Sequence, residues 1–334
     1  MDPLQNTGND NIVSRTIKKH GMIEVLMFFF IIVVGFTVSY KRWKKMRKTL
    51  TNSSKEGFSS GETSCSSDHT NKSEISIIRG NDIYNSTYAA IYDKLTYHPE
   101  RYNIEINEIM KTVSSPQHTK LLDIGSGTGK HVHTLSSKMN EVIGIDISPA
   151  MISKSQELYP TCDYQNKDAS NINSVIPNSF THISCMYFTI YYIHDHPSFL
   201  HNCYSWLKPG GYLVVHLADP RRFDPDLESS NLADIWSVTR YNRSRITQTP
   251  STIYSLEYSS KFNYFPKENK ASLRETIKNT KTDYVRYQEH ILYMPSIKEI
   301  TDAALSEGFI LSNTTSLKNC DHDHQYIYTF QKPS

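Results

Sequence analysis

Leu121-Leu122-Asp123-Ile124-Gly125-Ser126-Gly127-Thr128-Gly129 is the stretch that decides the fold. Lys120 to Ile124 reads as a short buried strand, three glycines follow at alternate positions, and a helical run opens near Lys130. Glycine permits a tight turn with no Cβ in the way. The helix that follows offers unpaired N–H groups and the positive end of its dipole. Strand, glycine turn and helix together form the cradle of a nucleotide-type cofactor. The spacing is G-x-G-x-G and not the G-x-G-x-x-G of a dinucleotide site, and an acid, Asp123, sits inside the strand end.

Moving outward, Glu141-Val142-Ile143-Gly144-Ile145-Asp146 is a second buried strand that also ends in an acid. Asp146 falls about twenty residues after the glycines, where a ribose-binding carboxylate is expected. Ser148 suits a helix N-cap and Pro149 the first helical position. These two motifs in this order resemble those of the class I S-adenosylmethionine (SAM) methyltransferases. The resemblance implies SAM as cofactor, held by Asp123, Gly125, Ser126, Gly127 and Gly129 of the first motif and by Asp146, Ile147 and Met151 of the second. Lys167-Asp168-Ala169-Ser170 resembles the next motif, which implies Asp168 and Ala169 beside the adenine; Asp168 also reads as a simple turn acid or cap. Lys208-Pro209-Gly210-Gly211 resembles the family's turn before strand five. Ala90-Ile91-Tyr92-Asp93-Lys94-Leu95 is similar to the family's N-terminal lid helix, which implies Tyr92 over the cofactor. Tyr84, Tyr88 and Tyr92, four apart, share one helical face, and that face serves equally as a core stripe.

The resemblance runs from about residue 92 to 217 and implies an α/β, Rossmann-like sheet of seven strands in the order 3-2-1-4-5-7-6, with the last strand antiparallel. Within it, residues 180–189 supply strand four, 197–207 a helix, and 207–215 a turn followed by strand five. Ser296 to Glu307 reads as an amphipathic helix capped by Ser296 and stopped at Gly308, and 309–316 with 325–331 as the closing hairpin. Residues 219–293 exceed what the sheet needs. Thr252 to Phe265 and Thr282 to Tyr293 are rich in Tyr, Thr, Ile and Val and read as an antiparallel insertion covering the pocket.

Upstream, residues 22–40 are apolar apart from Glu24, Thr37 and Ser39, long enough to span a bilayer. Six of the next eight residues, 41–48, are Lys or Arg, a stop-transfer pattern with no cleavage site of the kind a signal peptide needs. The expected organisation is a polar tail (1–21), one transmembrane helix (22–40), a basic juxtamembrane segment and flexible linker (41–80), and the methyltransferase domain (81–334). The heavier basic cluster places that domain in the cytosol.

The formal charge of +2 over 334 residues gives no general argument for nucleic acid, and the fourth strand ends without the Asn-Pro-Pro-Tyr or Asp-Pro-Pro-Tyr of amino-group DNA methylation. Five scattered cysteines make neither a disulfide framework nor a zinc signature. Cys320-Asp321-His322-Asp323-His324 has metal-donor types but turn-like spacing, and reads as a polar loop, so no metal is expected. A methyl on a sulfonium needs mainly an aligned nucleophile and a dry site, so no universal catalytic residue is readable. His194, next to Asp195 after strand four, is the candidate proton acceptor; the pair also suits a loop that caps the next helix. The expected activity is methyl transfer to a small-molecule, lipid or membrane-associated acceptor. An inactive SAM-binding scaffold on a membrane is the alternative.

Overall fold

The computed structural model describes residues 76–223, 248–253 and 255–334. The tail, the apolar run 22–40, the basic cluster and most of the linker lie outside these residues, as does 224–247 of the insertion. Among the described residues no helix is long and apolar enough to cross a membrane.

The glycine stretch lies between strand β2 (Lys120–Ile124) and helix α4 (Lys130–Ser136). Around β2 stand β3 (Glu141–Asp146), β4 (Asp163–Asn166), β5 (Phe180–Cys185) and β6 (Leu207–Ala218), all parallel. β11 (Ile310–Ser316) and β12 (Gln325–Gln331) close the sheet, with β12 antiparallel to both β6 and β11. The order β11-β12-β6-β5-β2-β3-β4 is the 3-2-1-4-5-7-6 arrangement expected from the sequence, in core-strand numbering. Buried runs such as Leu121, Leu122, Ile124 and Leu213, Val214, Val215 fit strands covered on both faces. Helices α5 (Pro149–Leu158) and α6 (His196–Trp206) are capped by Ser148 and Asp195. α7 (Ile297–Glu307) carries a full capping box from Ser296 and Glu299 and stops at left-handed Gly308.

The insertion supplies four of the five strands of a second sheet. That sheet comprises β7 (Gln248–Ile253), β8 (Leu256–Phe265), β9 (Lys270–Asn279) and β10 (Val285–Tyr293), paired antiparallel, with β1 (Ile77–Arg79) added parallel to β10. Two features correct the sequence reading. The linker does not run to residue 80, because Ile77–Arg79 pairs with Tyr287–Glu289, and Arg79 reaches Glu289 at 2.8 Å. The tyrosine face at 84–92 is not one helix. It is a 3-10 turn (Gly80–Tyr84) followed by helices α1 (Ser86–Ala89) and α2 (Tyr92–Thr96), broken where Asn85 caps α1. A longer helix, α3 (Pro99–Lys111), leads into β2.

The second sheet packs on the first through Phe262, Ala271 and Leu292, which share a buried cluster with Phe223, Leu213 and Phe199. Its other contact is with the N-terminal segment: Tyr258 and Ile277 meet Ile83, Tyr88, Leu95 and Met151 of α5. These two contacts place the second sheet and the α1–α2 segment over the carboxyl ends of the parallel strands.

Candidate active site

A cavity of about 860 Å³ lies where these elements meet. That size is well within the range of small-molecule sites. One wall is the glycine turn and the end of β3. Gly125 N and Ser126 N both donate to Ile145 O, at 2.8 and 3.0 Å, which folds the turn back onto β3. Gly127 N donates to Asp146 Oδ2 at 2.9 Å, and Ser148 N to Oδ1 at 2.8 Å. Asp146 is therefore fixed by two backbone donors, yet each oxygen keeps a lone pair for a ligand hydroxyl. Burial still holds its pKa above the ordinary aspartate value, against both N–H groups.

The three glycines do different work. A Cβ on Gly125 would sit 2.3 Å from Thr189 Cγ2, and one on Gly129 would sit 2.5 Å from Tyr164 Oη. Those two close the turn against the protein itself. Gly127 has open space, with only Tyr92 Cε1 at 3.7 Å, and borders the cavity. Only there does the missing side chain leave room for a ligand.

Of the residues assigned from the sequence, Gly125, Gly127, Asp146, Ile147, Met151, Asp168, Ala169 and Tyr92 line the cavity, as does His194. Asp123, Ser126 and Gly129 lie behind its wall. Asp123 is fully enclosed and accepts from Ser184 Oγ at 2.7 Å, and burial raises its pKa. Ser126 packs beneath Gly144, whose own Cβ would sit 2.8 Å from Ser126 Oγ. These three shape the turn from behind. Asp168 also holds its own turn, accepting from Ser170 N and Oγ at 2.8 and 2.7 Å.

His194 and Asp195 do not form a pair in the way the sequence allowed. Both Asp195 oxygens are taken by Ser198, N at 3.0 Å and Oγ at 2.7 Å, so the carboxylate caps α6. The His194 ring stands edge-on to Tyr293, with centroids 4.6 Å apart. The Cys320–His324 run forms the turn between β11 and β12, where Cys320 Sγ donates to Leu317 O and His322 Nδ1 meets Cys320 O. Among the described residues no three metal-type side chains converge.

The insertion was read from the sequence as a cover for the pocket, but not which of its side chains face the cavity. Glu275 on β9 and His290 on β10 line it, together with Tyr84, Tyr88 and Tyr192. His290 Nε2 lies 2.7 Å from Glu275 Oε2, and Tyr192 Oη lies 2.8 Å from His290 Nδ1. A signal did exist: Arg286, Gln288 and His290 alternate in phase with buried Leu292, so polar groups occupy the inward face of a strand.

Residues 121–211 match a family model described as a methyltransferase domain. The chain is 27% identical over 110 residues to trans-aconitate 2-methyltransferase of Yersinia pseudotuberculosis, covering 32% of this chain and 41% of that protein. It is 30% identical over 112 residues to phosphoethanolamine N-methyltransferase 3 of Arabidopsis thaliana, covering 32% of this chain and 23% of that protein. The chain thus spans less than half the length of these curated relatives. In fold it is similar to the CcbJ methyltransferase of Streptomyces caelestis, with TM-score 0.58 at 14% identity over 76% of this chain and 100% of that one. Residues 121–211 are thus similar to a methyltransferase domain, and the fold is that of the solved methyltransferase.

The residues present fit SAM. The uncovered backbone at Gly127 admits a ligand, Asp146 offers acceptors for ribose hydroxyls, and Ile147, Met151 and Ala169 give an apolar bed for an adenine.

Proposed function

We propose that this chain is a membrane-anchored, SAM-dependent methyltransferase acting on a small-molecule, lipid or membrane-associated acceptor in the cytosol. The observation that carries the reading is one cavity bounded on one side by Gly127 and Asp146 and on the other by the second sheet. A cofactor and an acceptor meet in such a space with little water between them. When bound, SAM supplies a methyl group on a positively charged sulfur. The chain's residues do the rest. Gly125, Gly127, Asp146, Ile147, Met151, Asp168, Ala169 and Tyr92 hold the cofactor, and Asp123, Ser126 and Gly129 keep the turn in shape. Residues 256–293 of the second sheet cover the acceptor and exclude water. No nucleic acid is expected in the site.

Methyl-labelled SAM offered with small-molecule, lipid and protein fractions tests the activity. Label in one fraction supports the reading, whereas SAM binding with no transfer to any fraction favours an inactive scaffold. Asp146→Ala should weaken SAM binding by roughly 1.5–3 kcal/mol, because charge-assisted hydrogen bonds are lost. Calorimetry on the folded variant checks this, and an unchanged affinity removes Asp146 from the site.

The anchor rests on residues 22–48, whose apolar run and basic cluster suit a bilayer and its anionic headgroups. The full chain should stay with membranes through carbonate extraction. Protease added outside sealed cells should spare the domain. Glycans at Asn52 or Asn71, or external cleavage, would reverse the orientation.

A further inference from the structure

Glu275 lies buried in the second sheet among four donors. Tyr258 Oη reaches Oε1 at 2.6 Å, while Tyr88 Oη at 3.2 Å, His290 Nε2 at 2.7 Å and the Gln288 amide all reach Oε2. Burial pushes its pKa up, but His290 and these hydrogen bonds outweigh burial and hold it below the ordinary range. An ionised Glu275 fixes the proton of His290 on Nε2. The Nδ1 lone pair is then left for the Tyr192 hydroxyl, 2.8 Å away. Tyr192 is 37% exposed and borders the cavity, whereas His290 is 2% exposed. The hydroxyl at the cavity is thus backed by an imidazole, and the imidazole by a carboxylate, the arrangement that activates a hydroxyl in other enzymes.

We propose that Tyr192, backed by His290 and Glu275, takes up the proton that a protic acceptor, an amine or a hydroxyl, must lose on methylation. The inference rests on the methyl-transfer reading above. The acceptor's nitrogen or oxygen forms a bond to the methyl carbon, and the carbon–sulfur bond breaks with its electron pair staying on sulfur. The acceptor's proton passes to Tyr192 Oη as the Tyr192 proton passes to His290 Nδ1, and the imidazolium rests against Glu275. Burial, with the charge of Glu275 adding to it, holds the Tyr192 pKa above its ordinary value, so a free tyrosinate does not accumulate and the two proton moves are coupled. Tyr192 is the catalytic residue here, and His290 and Glu275 act through it. A carboxylate or thioether acceptor loses no proton and has no use for such a relay. The groups facing His290 are Glu275 of β9, Tyr192 after β5 and Tyr84 and Tyr88 of the N-terminal segment; on its own strand Gln288 adjoins it, and Arg286 bonds to Gln288.

The test uses the full-length chain, methyl-labelled SAM, and four probes: phosphoethanolamine, glucosamine, catechol and trans-aconitate, alongside a small-molecule cell extract. Label should appear on nitrogen or oxygen that carried a proton. His290→Gln and Tyr192→Phe should lower kcat about 100-fold with SAM affinity unchanged. The rise of kcat with pH in the wild type should flatten in both. Tyr192→Phe removes only an oxygen from a partly exposed ring, so it reports even if His290→Gln fails to fold. Label on a carboxylate or thioether, or variants with wild-type kcat and pH profile, would overturn the relay while leaving methyl transfer standing. SAM binding with no label on any probe or extract component would remove the methyl-transfer reading and the relay with it.

Discussion

Gly129→Val should destabilise the domain by about 2–5 kcal/mol, through backbone strain and overpacking together. Gly127→Val, two residues away, should cost only the backbone strain of about 1–2 kcal/mol and abolish SAM binding. Both glycines have positive φ, +87° at Gly129 and +54° at Gly127. Holding a side chain in that region costs about 1–2 kcal/mol. What separates the two positions is what a Cβ would meet. At Gly129 it would fall 2.5 Å from Tyr164 Oη and 2.8 Å from Ser155 Cβ, both held in place: Tyr164 Oη donates to Gly129 O, and Ser155 is buried in α5. Overpacking a fixed site adds about 1–3 kcal/mol. At Gly127 the nearest atom is Tyr92 Cε1 at 3.7 Å, so the added side chain projects into the cavity. Urea unfolding of the two variants, with calorimetry of SAM on each, separates the effects. A Gly127→Val protein that binds SAM like the wild type would remove the cradle from this turn, and a Gly129→Val protein of unchanged midpoint would show that Tyr164 can move aside.

This contrast also marks how far the sequence could be read. The turn and Asp146 are legible because their chemistry is local: glycines adjoin a strand, and an acid ends the next strand of the same unit. The seven strands and their order follow from the family resemblance that these motifs carry. Which glycine faces the ligand is not local, since it depends on Thr189, Tyr164 and Ser155 arriving from three other elements. The His194–Asp195 pair looked like chemistry because the residues adjoin; in the fold the carboxylate bonds forward to Ser198, as helix caps do. The link from Tyr192 to His290 and Glu275 escaped notice for the reverse reason. Tyr192 and His290 are 98 positions apart, and β9 and β10 join only as antiparallel neighbours. β9 itself was missed because Lys270, Arg274, Glu275 and Lys278 interrupt its alternation. The tyrosines at 84, 88 and 92 were read as one face. The helix is broken, but the rings still meet edge to face, with centroids 5.7–6.3 Å apart.

Replacing Glu105 by Ala should cost about 3–5 kcal/mol, the range for removing one member of a buried ion network. Glu105 on α3 is inaccessible to solvent and lies 3.2 Å from Arg101 Nε and 3.0 Å from His131 Nε2. His131 stands in the first turn of the helix that leaves the glycine turn, so this carboxylate ties α3 to the base of the cofactor cradle. Burial alone would raise its pKa, but Arg101 and His131 together overcome that and bring it down to about 2. A folded value below the unfolded one means that the stabilisation is present above the unfolded glutamate pKa and is lost as pH falls toward about 2. A depression of that size corresponds to roughly 3 kcal/mol. His131 works in the opposite direction. Burial lowers its pKa, but the hydrogen bond and charge of Glu105 raise it overall, so its share is full below the unfolded histidine value and fades as pH rises through the folded one. The stability difference between the wild type and Glu105→Gln should therefore peak between about pH 5 and 6.5, decline steeply on the acid side and decline partially on the alkaline side, where Arg101 still pairs with Glu105. Urea midpoints of both full-length proteins from about pH 3 to 8 measure that difference directly. A gap that stays constant across the range would mean that Glu105 acts by packing and not by charge.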